Sequence, residues 1–347
     1  MGENLDRIDH DLLEILERKI ESLKNEINDS SITLQQNIHQ YNDFLSSYKK
    51  DNLTSEVIES IYRILLSEAH NQVAPPSIAF LGPLGTFSHK AASNLYGKAT
   101  ELHPQKTISD VFRQVEKSNA SYGVVPVENS TEGAVTFTLD ELVETPLKVI
   151  AESYLKISFY LLSHSTDEKK INKIYTHPQP FGQSKEWVRK NIPDAEVILV
   201  DSTTRAAQLA VEDKEAGAIA SLEASEIYSI PVLASRIEDS RQNYTRFFVI
   251  GSEEIAPTGH DKTSIVCAIK DKPAALLSLL KPFKDYGINM TRIESRPDKK
   301  KIWEYNFFID FIGHYNDENI KGALEHMREE TVYLKILGSY PLGKHPQ

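Results

Sequence analysis

The chain is poor in the residues that would place it in several functional classes. It has one cysteine in 347 residues, Cys267. An intrachain disulfide and a cysteine-ligated metal site are thereby excluded. Cys267 stands in the apolar run TSIVCAI and reads as a small buried hydrophobe. Positive charge is also short, with 39 Lys and Arg against 50 Asp and Glu, a net −11. A chain this acidic is no general nucleic-acid binder and has no field to draw it to anionic lipid. No apolar run reaches the roughly 18 residues of a membrane span. The first residues, MGENLDRIDHDLL, lack a signal-peptide core. A cytoplasmic protein is expected. The motifs GxGxxG, GxxxxGK[ST], HExxH and GxSxG are all missing, so nucleotide, zinc-hydrolase and serine-hydrolase readings have no support.

What is present divides into three parts, as the length leads one to expect. In residues 1–72, Leu5, Ile8, Leu12, Ile15, Leu16, Ile20, Leu23 and Ile27 recur at helical spacing. Ile38, Tyr41, Leu45 and Tyr48 predict a second helix. Val57, Ile61, Ile64 and Leu65 predict a third from near Thr54, stopped by Pro75-Pro76. Residues 77–255 alternate short apolar runs (SIAFLG, YGVVPV, KIYTH, EVILVD, GAIAS, FFVIG) with helical patterns, the mark of a mostly parallel α/β fold. Residues 262–341 read as βαββαβ, a ferredoxin-like α+β unit.

In the middle segment polar residues repeatedly follow a strand. Thr86 and Ser88 come after the first, and Glu128, Asn129, Ser130 and Thr131 after YGVVPV. His177 and Gln183 follow KIYT, and Ser202, Thr203, Thr204 and Ser221 close the series. Each alone is ordinarily a helix cap or a solvated side chain. Together they mark the carboxyl ends of strands, where open sheets bind ligands and helix starts favour anions. The stretch NYTRFFVI adds Thr245 and Arg246 just before a buried run. An arginine there is expected to grip a carboxylate with paired hydrogen bonds.

Four motifs in this segment, GPLGTFSHKAA (82–92), VVPVENSTEGAV (124–135), THPQPFGQSK (176–185) and NYTRF (243–247), resemble those of prephenate dehydratase. GINMTRIESRP (287–297) resembles the ACT regulatory domain. The helical segment is similar in layout to an AroQ-type chorismate mutase, so the whole chain resembles the P-protein layout. The resemblance implies a dehydratase domain of two α/β lobes flanking a cleft, like periplasmic binding proteins, and no metal or organic cofactor. The implied reaction is prephenate to phenylpyruvate, on the route to phenylalanine. Thr245 is implied to be catalytic, with Glu128 and Asn129 beside it. Arg246, Thr86, Ser88, Ser130, Thr131, Gln183, Ser202 and Phe247 are implied in substrate binding. Phenylalanine, as feedback inhibitor, would sit between ACT domains of paired subunits at Ala274, Ala275, Leu276, Asn289, Met290, Glu294, Ser295 and Arg296. A homodimer or dimer of dimers is therefore expected. Gly182 stands where relatives carry a larger residue.

The helical segment departs from its family. The cation positions of a mutase fall on Gly2, on Lys19 with Arg18 one place off, near Asp29 and Ser30, and near Gln40 and Tyr41. The final glutamine falls on Asn71 or Gln72. A dianion without its cations is costly to bind, so the segment reads as a degenerate mutase kept for assembly or regulation. The alternative is a bifunctional enzyme whose cations lie elsewhere, such as Arg7, Arg18 and Lys24. A non-enzymatic amino-acid-binding regulator is a third reading, which the retained Thr245-Arg246-Phe247 disfavours.

Overall fold

The structure, a computed structural model, describes residues 2–29, 54–73, 75–97, 100–269, 272–297 and 305–343. Two helices, Gly2–Asp29 and Ser55–Val73, open it. Leu16, Ile20, Leu23 and Ile27 turn one stripe of the first helix toward Leu65, Leu66 and Ala69 of the second. The same cluster continues into Ile78, Phe80, Ala92 and Tyr96 of the following segment. Ile8, Leu12 and Ile15 stay exposed, so the apolar repeat forms two faces rather than one stripe. The helix expected over Ile38–Tyr48 lies outside the described residues.

The middle segment forms two α/β lobes. The first sheet has the order β2 (Glu101–Gln105), β1 (Ser77–Leu81), β3 (Tyr122–Asn129), β11 (Tyr244–Gly251) and β5 (Lys148–Lys156). The short β4 (Gly133–Ala134) pairs off β3. The second has the order β10 (Val232–Ser235), β6 (Tyr160–Leu162), β9 (Ala216–Ala220), β7 (Lys173–Thr176) and β8 (Glu196–Leu199). Both sheets are mixed. β1 runs parallel to β2 and β3, and β7 to β8 and β9. β11, β6 and β10 run antiparallel to their neighbours. These three carry the chain between lobes, out after β5 and back into β11, and the sequence pattern showed only β11 among them.

The two crossovers are tied together. Ile157 donates its amide to Asn243 O at 2.8 Å, Ile237 to Phe159 O at 3.0 Å, and Phe159 to the Glu238 carboxylate at 2.9 Å. Each lobe therefore turns the carboxyl ends of its parallel strands toward the other.

The C-terminal unit is β12 (Asp261–Ile269), a helix Ala275–Asp285, β13 (Met290–Pro297), β14 (Tyr305–Ile312), a helix Glu318–Glu330 and β15 (Thr331–Pro341). Its antiparallel sheet has the order β13-β14-β12-β15. Ile265, Cys267, Phe307 and Ile309 face its own helices. Val266, Phe308, Leu337 and Tyr340 point the other way and join the core of the first lobe beside Val149 and Phe248. Burial on both faces explains the unbroken apolar runs TSIVCAI and FFIDFI. The close approach depends on Gly338, where a Cβ would stand 2.0 Å from Val149 O.

Candidate active site

Thr245 and Asn129 are opposite each other in the β3–β11 ladder. Asn129 Nδ2 donates to Thr245 Oγ1 at 2.9 Å. The orientation of that amide is fixed by its other contacts. Asn129 Oδ1 accepts the backbone amides of Thr131 and Glu132 at 2.9 and 3.2 Å, so Nδ2 must face Thr245 and Asn243. Asn243 in turn donates to Gln183 Oε1 at 2.7 Å, and Gln183 Nε2 lies 3.3 Å from the Glu132 carboxylate. From Asn129 through Asn243 and Gln183 each amide donates toward the Glu132 carboxylate, which fixes all three amides, and Asn129 Nδ2 donates the other way as well, to Thr245 Oγ1. That oxygen already accepts a hydrogen bond and has its own proton to give.

Four of the other polar residues after strands are helix caps. Thr86, His177, Ser202 and Ser221 each accept a first-turn amide of the helix that follows. Helix geometry leaves the remaining first-turn amides open, and the dipole makes these ends favourable for anions. Two further contacts bring the lobes together. Thr204 Oγ1 donates to Leu84 O at 3.0 Å and Ser221 Oγ to Gly85 O at 2.7 Å. Lys90 and Glu223 pair across the same seam at 2.6 Å. His89, which the sequence reading passed over, accepts the Gly85 amide at Nδ1. Burial lowers its pKa, against the opposing pull of Glu223.

Ser88 is buried at the start of helix Phe87–Tyr96, Thr131 is exposed, and Ser130 pins the β3–β11 turn through Gln242 O and the Tyr244 amide. Phe247 is 1% exposed and belongs to the core, not to the cleft. Gly182 lies within helix Pro178–Asn191, with nothing within 4 Å of a Cβ there.

The structure places Arg246 away from the cleft, because successive side chains on a strand point to opposite faces. Its guanidinium bonds Glu152 through Nε at 2.8 Å and through Nη2 at 2.7 Å. It reaches the C-terminal unit at Asp310 (2.5 Å) and Tyr340 (3.1 Å). Lys262 closes on Glu152 at 2.7 Å. Burial would lower the Arg246 pKa, but Tyr340, Asp310 and Glu152 around it raise it well above its ordinary value. For Asp310, burial pushes upward and the two arginines, Arg246 then Arg292, pull it below its ordinary value. Glu128, expected beside Thr245, lies instead 3.1 Å from Arg292 Nε and 3.9 Å from Arg246 Nη1.

Of the expected effector residues, Ala274 adopts φ +60 at the start of its helix, and Leu276 is 40% exposed. Ala275 is buried and Asn289 and Ser295 are exposed. Met290 and Glu294 are half-buried on β13. Arg296 makes a paired contact with Asp140 of the first lobe at 2.5 and 2.7 Å. In the helical segment Arg18 is exposed and Lys19 sits 5.8 Å from the Tyr62 ring centroid. Lys24 pairs with Glu21, and the side chain of Arg7 lies outside those described. Among the described residues no acidic, His and Cys group of metal-binding form exists, and no helix is long and apolar enough to cross a membrane.

Two α/β lobes, joined by paired crossovers and meeting through helix starts and a network of side-chain amides, frame the candidate site. The prephenate dehydratase family model matches residues 78–255. The chain is 44% identical over 286 residues to a bifunctional chorismate mutase/prephenate dehydratase of Aquifex aeolicus, covering 82% of this chain and 79% of that one. It is 36% identical over 276 residues to a prephenate dehydratase of Methanocaldococcus jannaschii, covering 77% and 98%. The crystal structure of a prephenate dehydratase from Arthrobacter aurescens in complex with L-Phe is similar at a TM-score of 0.71 and 32% identity, over 77% of this chain and 90% of that one. This chain belongs to the prephenate dehydratase family.

Proposed function

We propose that the chain converts prephenate to phenylpyruvate, with Thr245 at the reacting centre. The bond from the ring to its carboxylate breaks and releases CO2. That electron pair aromatises the ring and expels the ring hydroxyl, which collects one proton and leaves as water. Hydroxide is a poor leaving group, so a proton donor at that oxygen carries the catalysis. The amide network that fixes Asn129 and sets its Nδ2 on Thr245 Oγ1 is the observation that carries this reading. Asn129 occupies the acceptor side of the hydroxyl and leaves its proton for the substrate. Gln183 and Asn243 hold Asn129, and solvent replaces the proton.

With Arg246 committed elsewhere, the side-chain carboxylate of the substrate is assigned to helix starts near Ser88 and Ser202. The departing carboxylate is held less tightly, because stabilising its charge would oppose CO2 loss.

Residues 262–341 are read as an ACT domain that binds phenylalanine between two copies of the chain. The exposed Leu276, Leu277 and Ile293 beside the effector residues suit a face covered by a second copy. The helical segment is read as a degenerate mutase domain, since Lys24 is paired with Glu21 and Arg18 is exposed.

Purified protein given prephenate or chorismate, with phenylpyruvate as readout, tests all of this. Product from prephenate alone is expected, falling as phenylalanine is added. Thr245→Ala should lower kcat by about 100-fold or more with KM within about threefold. A kcat that survives within a few-fold would remove Thr245 from the reaction. Product from chorismate above its uncatalysed rearrangement would restore the bifunctional reading.

A further inference from the structure

Where β3 meets β11, two cross-strand pairs stand side by side. Asn129 is opposite Thr245, and Glu128 is opposite Arg246. The pleat turns the first pair to the cleft and the second toward the C-terminal unit. That unit answers with a cross-strand pair of its own, Arg292 on β13 opposite Asp310 on β14. The four side chains alternate in charge and close on one another. Arg246 reaches Asp310 at 2.5 Å, Arg292 reaches Glu128 at 3.1 Å, and Arg246 lies 3.9 Å from Glu128.

Arg292 is unusual among these. Its side chain is 10% exposed, and its Nη2 is buried with no hydrogen-bond partner. Glu294, the acid on its own strand, is 3.9 Å from that nitrogen, too far for a hydrogen bond. Leaving a buried donor unmade costs about 1–3 kcal/mol. The nearest anion to the guanidinium thus lies across the interface, Glu128 at 3.1 Å, while Glu294 and Asp310 of its own unit stand farther off. That anion belongs to the residue bonded to Asn129.

We propose that Arg292 is a positioning residue for the dehydratase reaction. It fixes Glu128 against the C-terminal unit and so fixes the strand end from which Asn129 orients the Thr245 hydroxyl. The proposal rests on the dehydratase reading. It assigns Glu128 the same role, as the receiving end of the contact rather than as a proton donor. Displacements of about 1 Å at a reacting centre can cost on the order of 100-fold in rate.

The test is steady-state kinetics with prephenate on the full chain, using Arg292→Gln, Arg292→Lys, Glu128→Gln and the double variant Glu128→Gln/Arg292→Gln. Circular dichroism and melting temperature report folding. Arg292→Gln is expected to lower kcat by about 10- to 100-fold with KM within about twofold. Arg292→Lys, which restores the charge, should recover kcat to within about threefold of wild type at the same melting temperature. The double variant should be no slower than the slower single variant, because both remove one contact. Wild-type kcat in Arg292→Gln, or a double variant as slow as the product of the two singles, would overturn the proposal alone. If Arg292→Gln does not fold, Arg292→Lys and Glu128→Gln decide. Equal losses of kcat and melting temperature in both would mean a merely structural contact. A wild-type chain that makes no phenylpyruvate would overturn the dehydratase reading and this proposal with it.

Discussion

Replacing Arg246 by Gln should cost more stability than any surface change, and should do so in a pH-dependent way. The guanidinium makes charged contacts to Glu152 at 2.7 and 2.8 Å and to Asp310 at 2.5 Å, and its centre lies 4.7 Å from the Phe248 ring centroid. Glu152 would keep Lys262 at 2.7 Å and the Gly343 amide at 2.9 Å. Asp310 would keep only the Ser264 hydroxyl at 2.6 Å and the more distant charge of Arg292. Removing one partner of a buried pair costs about 3–5 kcal/mol, and Asp310 is the group left exposed to that penalty. The sign follows from its titration. In the wild type, burial raises the Asp310 pKa but the arginines bring it below the ordinary value, so its contribution is present above the unfolded pKa and lost as pH falls through the folded one. Without Arg246 burial prevails, the folded pKa rises, and acid relieves the unpaired charge. Urea unfolding of both proteins at pH 7.5 and pH 5 is the assay. The gap should be about 3 kcal/mol or more at pH 7.5 and should narrow at pH 5. A gap under about 1 kcal/mol, or one that does not narrow, would refute the reasoning.

Three further outcomes are expected. Gly338→Ala sets a Cβ 2.0 Å from Val149 O, so β15 must retreat from β5; unfolding should be easier by about 1–3 kcal/mol, and an unchanged midpoint would show that the strands are not so close. Ala274→Gly should stabilise the chain by about 0.5–1 kcal/mol in the same assay, because φ +60 is strained for alanine and free for glycine. His70 is held near pKa 4 by burial, so its neutral form stabilises the fold above about pH 6.5 and that contribution fades toward pH 4; unfolding at pH 5 against pH 7.5 should show a loss of about 2 kcal/mol that His70→Leu removes.

Much of the architecture was legible in the sequence, because it rests on local periodicity. The βαββαβ order of residues 262–341 and the strands within SIAFLG, YGVVPV and GAIAS declare themselves by apolar runs between helical patterns. β5, β6 and β10 did not, because they owe their position to the crossing between lobes rather than to any pattern of their own. β2 contains Pro104, which reads as a break until its place on the sheet edge is known. The site shows the same division. Asn129, Gln183 and Thr245 stand in motifs that the sequence displays. Glu132 and Asn243 stand in the same motifs, but their part in orienting the amides appears only when the lobes are joined.

Arg246 shows why neighbours in sequence were misjudged as neighbours in function. Side by side, Thr245 and Arg246 suggested one site that both donates a proton and grips a carboxylate. A strand cannot supply that, since its pleat turns adjacent side chains to opposite faces. The consequence is more informative than the pairing it replaces. Each residue of the Asn129–Thr245 pair, proposed as the reacting couple, has as its chain neighbour a charged residue clamped by the C-terminal unit, through Arg292 and Asp310. A shift of β13 against β14 therefore cannot leave Glu128 and Arg246 unmoved, and they cannot move without the backbone that carries Asn129 and Thr245. Met290, Glu294 and Arg296, proposed as effector residues, lie on that same β13, and Arg296 is itself anchored to Asp140 of the first lobe. A ligand that bound two arrangements of β13 unequally would change the dehydratase site by that difference in affinity. No longer path through the molecule is needed.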